Sequence, residues 1–101
     1  ESALEGAAAV PFETLQVAQE CLELVEFALE RGNANCLTDA ATAMHLIHAA
    51  ALGASYNIRI NLIGASDGPF KEKTLAETAS LVARINTKID RLAARVEKAL
   101  G

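Results

Sequence analysis

Apolar positions along most of this chain recur at intervals of three and four residues, the period of a helix buried on one side. Leu15, Val17, Ala18, Cys21, Leu22, Leu24, Val25, Ala28 and Leu29 form one wide stripe. Glu13, Gln16, Gln19, Glu20, Glu23, Glu26 and Glu30 take the other side. Near the C-terminus, Leu75, Thr78, Val82, Ile85, Ile89, Leu92, Val96 and Ala99 alternate by three and four, a heptad seam over more than three repeats. The middle segment is different. At 100° per residue, Asp39, Ala43, Leu46, Ala50, Asn57 and Asn61 fall on one stripe flanked by Gly53 and Ala54. That stripe is small in the middle and polar at its ends, while Met44, Ile47, Ala51, Ile58 and Leu62 supply buried surface. The only β-like run, residues 55–62, lacks turn signals around it and is expected to end a helix. The pattern predicts an all-α fold, an antiparallel bundle of long helices.

Breaker residues set the expected boundaries. Val10-Pro11 predicts a kink or break between a helix ending near residue 9 and one running to about Arg31. Gly32 is placed for a left-handed C-terminal cap, and Asn33 and Asn35 for a tight turn. The next helix is expected to start near Leu37 or Thr38, with Thr38 as N-cap and Asp39 in its first turn. Asp67, before Gly68-Pro69, is expected to cap a proline-started helix that runs to about Leu100. Gly53 in a helix interior costs about 1 kcal/mol relative to alanine, which a close helix contact or a bound ligand would justify.

With 101 residues the chain has length for one domain of modest core, so self-association is expected, as a homodimer or higher homo-oligomer. The net charge of −4 and pI near 5.1 argue against a nucleic-acid partner. The charge is uneven. Nine acids precede Lys71 against only Arg31 and Arg59, whereas seven bases follow against Glu72, Glu77, Asp90 and Glu97. An acidic helix is therefore expected beside a basic one, inside the chain or across a dimer, with a basic patch for an anionic substrate as the alternative. Cys21 and Cys36 have neither the spacing nor the histidine neighbours of a metal site, and no disulfide framework is suggested. Cys21 is expected in the core. No signal peptide or membrane-spanning run is evident, and a cytoplasmic location is the expectation. The chain has no initiator methionine and starts within a helical pattern, so it is expected to be the C-terminal part of something larger.

Few residues carry candidate chemistry. Asp39 is a general acid or base, a partner for a substrate NH, or simply a first-turn dipole residue. Asn57 and Asn61, one turn apart, face the same way; two amides read the donors and acceptors of a heterocycle, or hold a helix interface. His45 and His48 share a helix side without a third ligand, which favours surface or interface roles over a metal. Arg59 pairs with the acidic helix or with a ligand carboxylate. No phosphate loop, nucleophile elbow or Cys-His arrangement is present.

Several motifs occur together in order: Val10-Pro11, GNANCLTDAA at 32–41, GASYNIRINL at 53–62 and DGPFKEK at 67–73. In this the chain resembles the formiminotransferase-cyclodeaminase C-terminal domain family over nearly its whole length. The resemblance implies the C-terminal helical part, 1–101, of a longer domain, with the aspartate usually assigned as catalytic lying upstream. It implies a dimer-forming helical fold with a folate site in a groove between helices. Asn33, Asn35, Asp39, Asn57 and Asn61 match the motifs and are expected to bind or buttress that substrate. The implied reaction is cyclodeamination of 5-formimidoyltetrahydrofolate to the 5,10-methenyl form with loss of ammonia. Hydrolysis of the methenyl bridge is the alternative. A tetrahydrofolate derivative is the substrate, and neither reaction calls for a metal. A catalytically silent fragment for packing and dimerisation is the reading from another class.

Overall fold

A computed structural model describes residues 2–32 and 34–101. Three helices make up almost all of it: α1 (Ser2–Arg31), α2 (Ala34–Ile63) and α3 (Pro69–Leu100). Short connections make successive helices antiparallel, as the pattern predicts, and no strand occurs among the described residues. The run 55–62 is the end of α2.

The core follows the helical periods. Leu15 and Leu22 of α1, Met44, Ile58 and Leu62 of α2, and Ile85 and Leu92 of α3 are almost wholly buried. Each such side chain contributes about 1.5–3 kcal/mol by leaving water. Ala18, Ala51 and Ala54 are also buried, and their small volume lets the helices approach closely. The α3 seam is realised at Thr78, Ile85, Ile89, Leu92 and Val96, with Leu81 added to it. Leu75 and Val82 pack at its margin, and Ala99 is exposed. The α1 stripe is narrower than its pattern suggests. Val17 is half exposed, Leu24 is largely exposed and Cys21 is only partly buried.

Four boundary expectations are corrected. The helix does not break at Val10-Pro11; α1 runs through Pro11 without interruption. Gly32 does not form the left-handed cap, since among the described residues that backbone region is occupied by Gly101 alone. Gly32 instead donates its N–H to the Ala28 carbonyl at 2.7 Å, and a β-carbon there would lie 2.5 Å from that oxygen. The next helix begins at Ala34, earlier than expected, so Thr38 lies inside it and Asp39 is beyond its first turn. The Thr38 carbonyl accepts from the Thr42 hydroxyl at 2.9 Å, as an interior helical carbonyl does. Finally, α3 starts on Pro69 as expected, but its cap residue is Gly68 and no side chain caps it. Asp67 pairs with Lys71 at 3.2 Å instead.

The uneven charge is resolved within the chain. Glu26 of α1 meets Arg91 at 2.7 Å and Lys88 at 3.2 Å, and Glu30 meets Arg95 at 3.7 Å. The acidic face of α1 lies against the basic face of α3.

Candidate functional site

α1 and α2 enclose a groove of about 560 Å³ near the proline turn. Ala7, Val10, Pro11 and Thr14 form the α1 wall, and Ala50, Gly53, Ala54, Asn57 and Asn61 form the α2 wall. Local sequence explains its shape. Pro11 has no N–H for the Ala7 carbonyl, which leaves that carbonyl on the groove side without its helical donor. Ala50, Gly53 and Ala54 leave the facing side of α2 without bulk. A β-carbon at Gly53 would meet nothing within 4 Å, so the space beside it is open.

Two of the expected site residues face this groove. Asn57 is exposed on its wall and makes no hydrogen bond to another described residue. Asn61, one turn on, donates from Nδ2 to the Ala7 carbonyl at 3.3 Å. Asp39 and Asn35 are exposed at the opposite end of α2. At 1.5 Å per residue, Asp39 is about 27 Å and Asn35 about 33 Å along the helix from Asn57. Asn33 lies outside the described residues. The candidate residues thus occupy two ends of one molecule, and the groove described here lies at the Asn57 end. The contact between Asn61 and Ala7 escaped sequence reading, although a proline within a helical pattern does signal a freed carbonyl four residues earlier.

The other side of α2 faces α3 and holds the remaining polar candidates. His48 Nε2 and Asn86 Oδ1 are 2.8 Å apart, so the histidine nitrogen carries the proton in this bond. Among the described residues Arg59 makes no ion pair with the acidic face of α1. Its guanidinium lies 5.2 Å from the Tyr56 ring centre, and its Nε is 3.4 Å from the Ser55 carbonyl. Tyr56, Arg59 and Asn86 border a second hollow, of about 420 Å³. His45 is exposed.

No residue on the wall of the proline groove titrates in the neutral range. Amides, one hydroxyl and alkyl groups line it. Such a surface orients a heterocycle through paired donors and acceptors and covers its flat face, but supplies no proton by itself. Among the described residues, the carboxyl with a clear electrostatic bias lies elsewhere. The Arg91 guanidinium beside Glu26 holds its carboxyl below the usual range, against the opposing effect of burial, with Lys88 assisting.

The chain is 32% identical over 92 residues to a methenyltetrahydrofolate cyclohydrolase of Methylorubrum extorquens, covering 91% of this chain and 44% of that protein. It is 30% identical over 88 residues to formimidoyltransferase-cyclodeaminases of Rattus norvegicus and Mus musculus, covering 87% of this chain and 16% of each. It thus spans less than half the length of these curated relatives. The family model described as formiminotransferase-cyclodeaminase matches residues 1–80, which take in α1, α2 and the first part of α3. The proline within α1, the polar α1–α2 turn and the amide-ended α2 all lie inside that match, and the chain belongs to the formiminotransferase-cyclodeaminase family.

Proposed function

We propose that this chain supplies the C-terminal helices of a folate-handling domain, and that the α1–α2 groove takes the pterin end of a tetrahydrofolate derivative. The observation that carries the reading is the groove itself, open at Gly53 and bordered by the Asn57 and Asn61 amides, in a chain of this family. The proposed reaction is ring closure of the 5-formimidoyl compound. N10 attacks the formimino carbon held on N5, a tetrahedral carbon forms, and ammonia departs after protonation. A positioned acid is needed for that departure. The groove lining offers none, so the acid belongs to a part of the domain outside this lining, while these helices bind and orient the substrate.

Methenyl-bridge hydrolysis passes through the same type of tetrahedral carbon, and the bacterial relative's name favours it as the second reading. The absence of a titrating group from the groove walls favours a third, in which the chain alone only packs and dimerises. We also place the protein in the cytoplasm. Among the described residues no helix is long and apolar enough to cross a membrane.

Purified chain, alone and with a separately supplied N-terminal half of the domain, is mixed with 5-formimidoyl- or 5,10-methenyltetrahydrofolate while methenyl absorbance is followed. A rise with the first compound identifies cyclodeamination; a fall of the second, faster than in buffer, identifies hydrolysis. No turnover in either arrangement rejects the enzyme reading. In the complete domain, Asn57→Ala and Asp39→Ala are expected to weaken folate binding more than they lower folding stability. Unchanged affinity in a folded variant returns that residue to a packing or capping role.

A further inference from the structure

A proline inside a helix leaves the carbonyl four residues earlier without its donor, and the ring crowds that carbonyl. For Pro11 the carbonyl is that of Ala7. Asn61, from the far end of α2, brings its Nδ2 to 3.3 Å from that oxygen. A carbonyl only accepts, so the amide must present its nitrogen here and not its oxygen. The neighbouring Val10 carbonyl accepts an added bond from the Thr14 hydroxyl at 3.2 Å. The proline turn is therefore held by side chains, one of them from another helix. Asn57, on the same wall, has no such engagement among the described residues.

We propose that Asn61 is a positioning residue. It stands in for the N–H that Pro11 lacks and ties that turn of α1 to α2. In doing so it sets the width of the groove and leaves Asn57 as the amide that reads the ligand. The identity of that ligand rests on the folate reading above; the role of Asn61 does not.

The test is a double-mutant cycle. Pro11→Ala returns an N–H to the Ala7 carbonyl. Asn61→Ala is expected to lower the melting temperature by about 4 °C in the Pro11 chain, and by much less in the Pro11→Ala chain. Equal losses in the two backgrounds overturn the proposal. So does failure of both Asn61→Ala chains to fold, because the amide would then do more than replace one N–H. Failure of the Pro11 version alone supports it. Binding of 5,10-methenyltetrahydrofolate gives a readout that packing alone does not move. Asn61→Ala is expected to weaken it about tenfold, with recovery on adding Pro11→Ala, whereas the Asn57→Ala loss persists in both backgrounds. A persistent Asn61→Ala loss beside a rescued melting temperature makes Asn61 a direct ligand contact and overturns the positioning role. If the parent chain binds no folate, the folate reading falls, and the melting cycle still decides what Asn61 does.

Discussion

Gly53 lies inside a helix and Gly32 just after one, and the structure separates their reasons for being there. Within α2 glycine is about 1 kcal/mol worse than alanine, and among the described residues nothing beyond Gly53's own stretch of helix stands within 4 Å of its missing β-carbon. Its cost has no compensation inside the molecule. Gly53→Ala is therefore expected to raise stability to denaturant by about 1 kcal/mol while placing a methyl in the groove and weakening methenyltetrahydrofolate binding. A loss of stability would show that the chain itself needs the gap. Gly32 is the opposite case, since a β-carbon would press on the Ala28 carbonyl. Gly32→Ala is expected to cost about 1 kcal/mol or more by the same denaturation measurement, and a neutral result would show that the turn relaxes freely. The amides show what was and was not legible at this scale. Periodicity alone put Asn57 and Asn61 on one side of α2. It did not distinguish them, because the partner of Asn61 is a backbone atom 54 residues earlier.

The division of labour among helices follows from charge as much as from apolar pattern. Glu26 bridges α1 to α3 through Arg91 and Lys88, and Glu30 extends the contact to Arg95. Because the folded-state pKa of Glu26 is depressed, its contribution to stability is fully present above the ordinary carboxylate value near 4.5. It is lost as pH falls through the lower folded value. Glu26→Gln is expected to cost about 1 kcal/mol at pH 7 and to flatten the stability profile below pH 4.5, as followed by urea unfolding across pH. An unchanged acid limb would show that the bridge is screened by solvent. The asymmetry of acids and bases makes an acidic helix beside a basic one legible in the sequence, but not whether they meet inside the chain or across a dimer, nor which side chains pair. The end of α1 and the start of α2 were less so. Pro11 obeys a local rule that the packing of α1 against α2 overrides, with Asn61 and Thr14 holding the turn. The start of α2 was placed too late because Thr38-Asp39 has good capping chemistry, whereas the helix is already running at Ala34.

The shape of the whole molecule bears on how it is completed. Its extents are 50 × 18 × 16 Å and its radius of gyration is 15.9 Å, against about 13 Å for a compact chain of this size. Its accessible surface is 6201 Å², where about 5,500 Å² is typical of a monomer of its mass. Several large apolar side chains stand exposed on the helices. Val17 and Leu24, seven residues apart on α1, are half or more exposed. Leu46 and Ile60 stand two turns either side of Gly53 on α2, both largely exposed. A helix apolar on its outer side as well as its inner one is suited to burial on both. Two copies meeting through Leu46 and Ile60, neither of which lines the groove, would pair about a two-fold axis, as a self-complementary interface requires. We therefore expect the chain to sediment as a dimer at micromolar concentration, and Leu46→Glu to yield a monomer with unchanged helical circular dichroism, because Leu46 contributes little to the core of one copy. A monomeric parent would reject the self-pairing and leave the α2 face to other segments of the domain. A dimer unaffected by Leu46→Glu would move the interface elsewhere on the molecule.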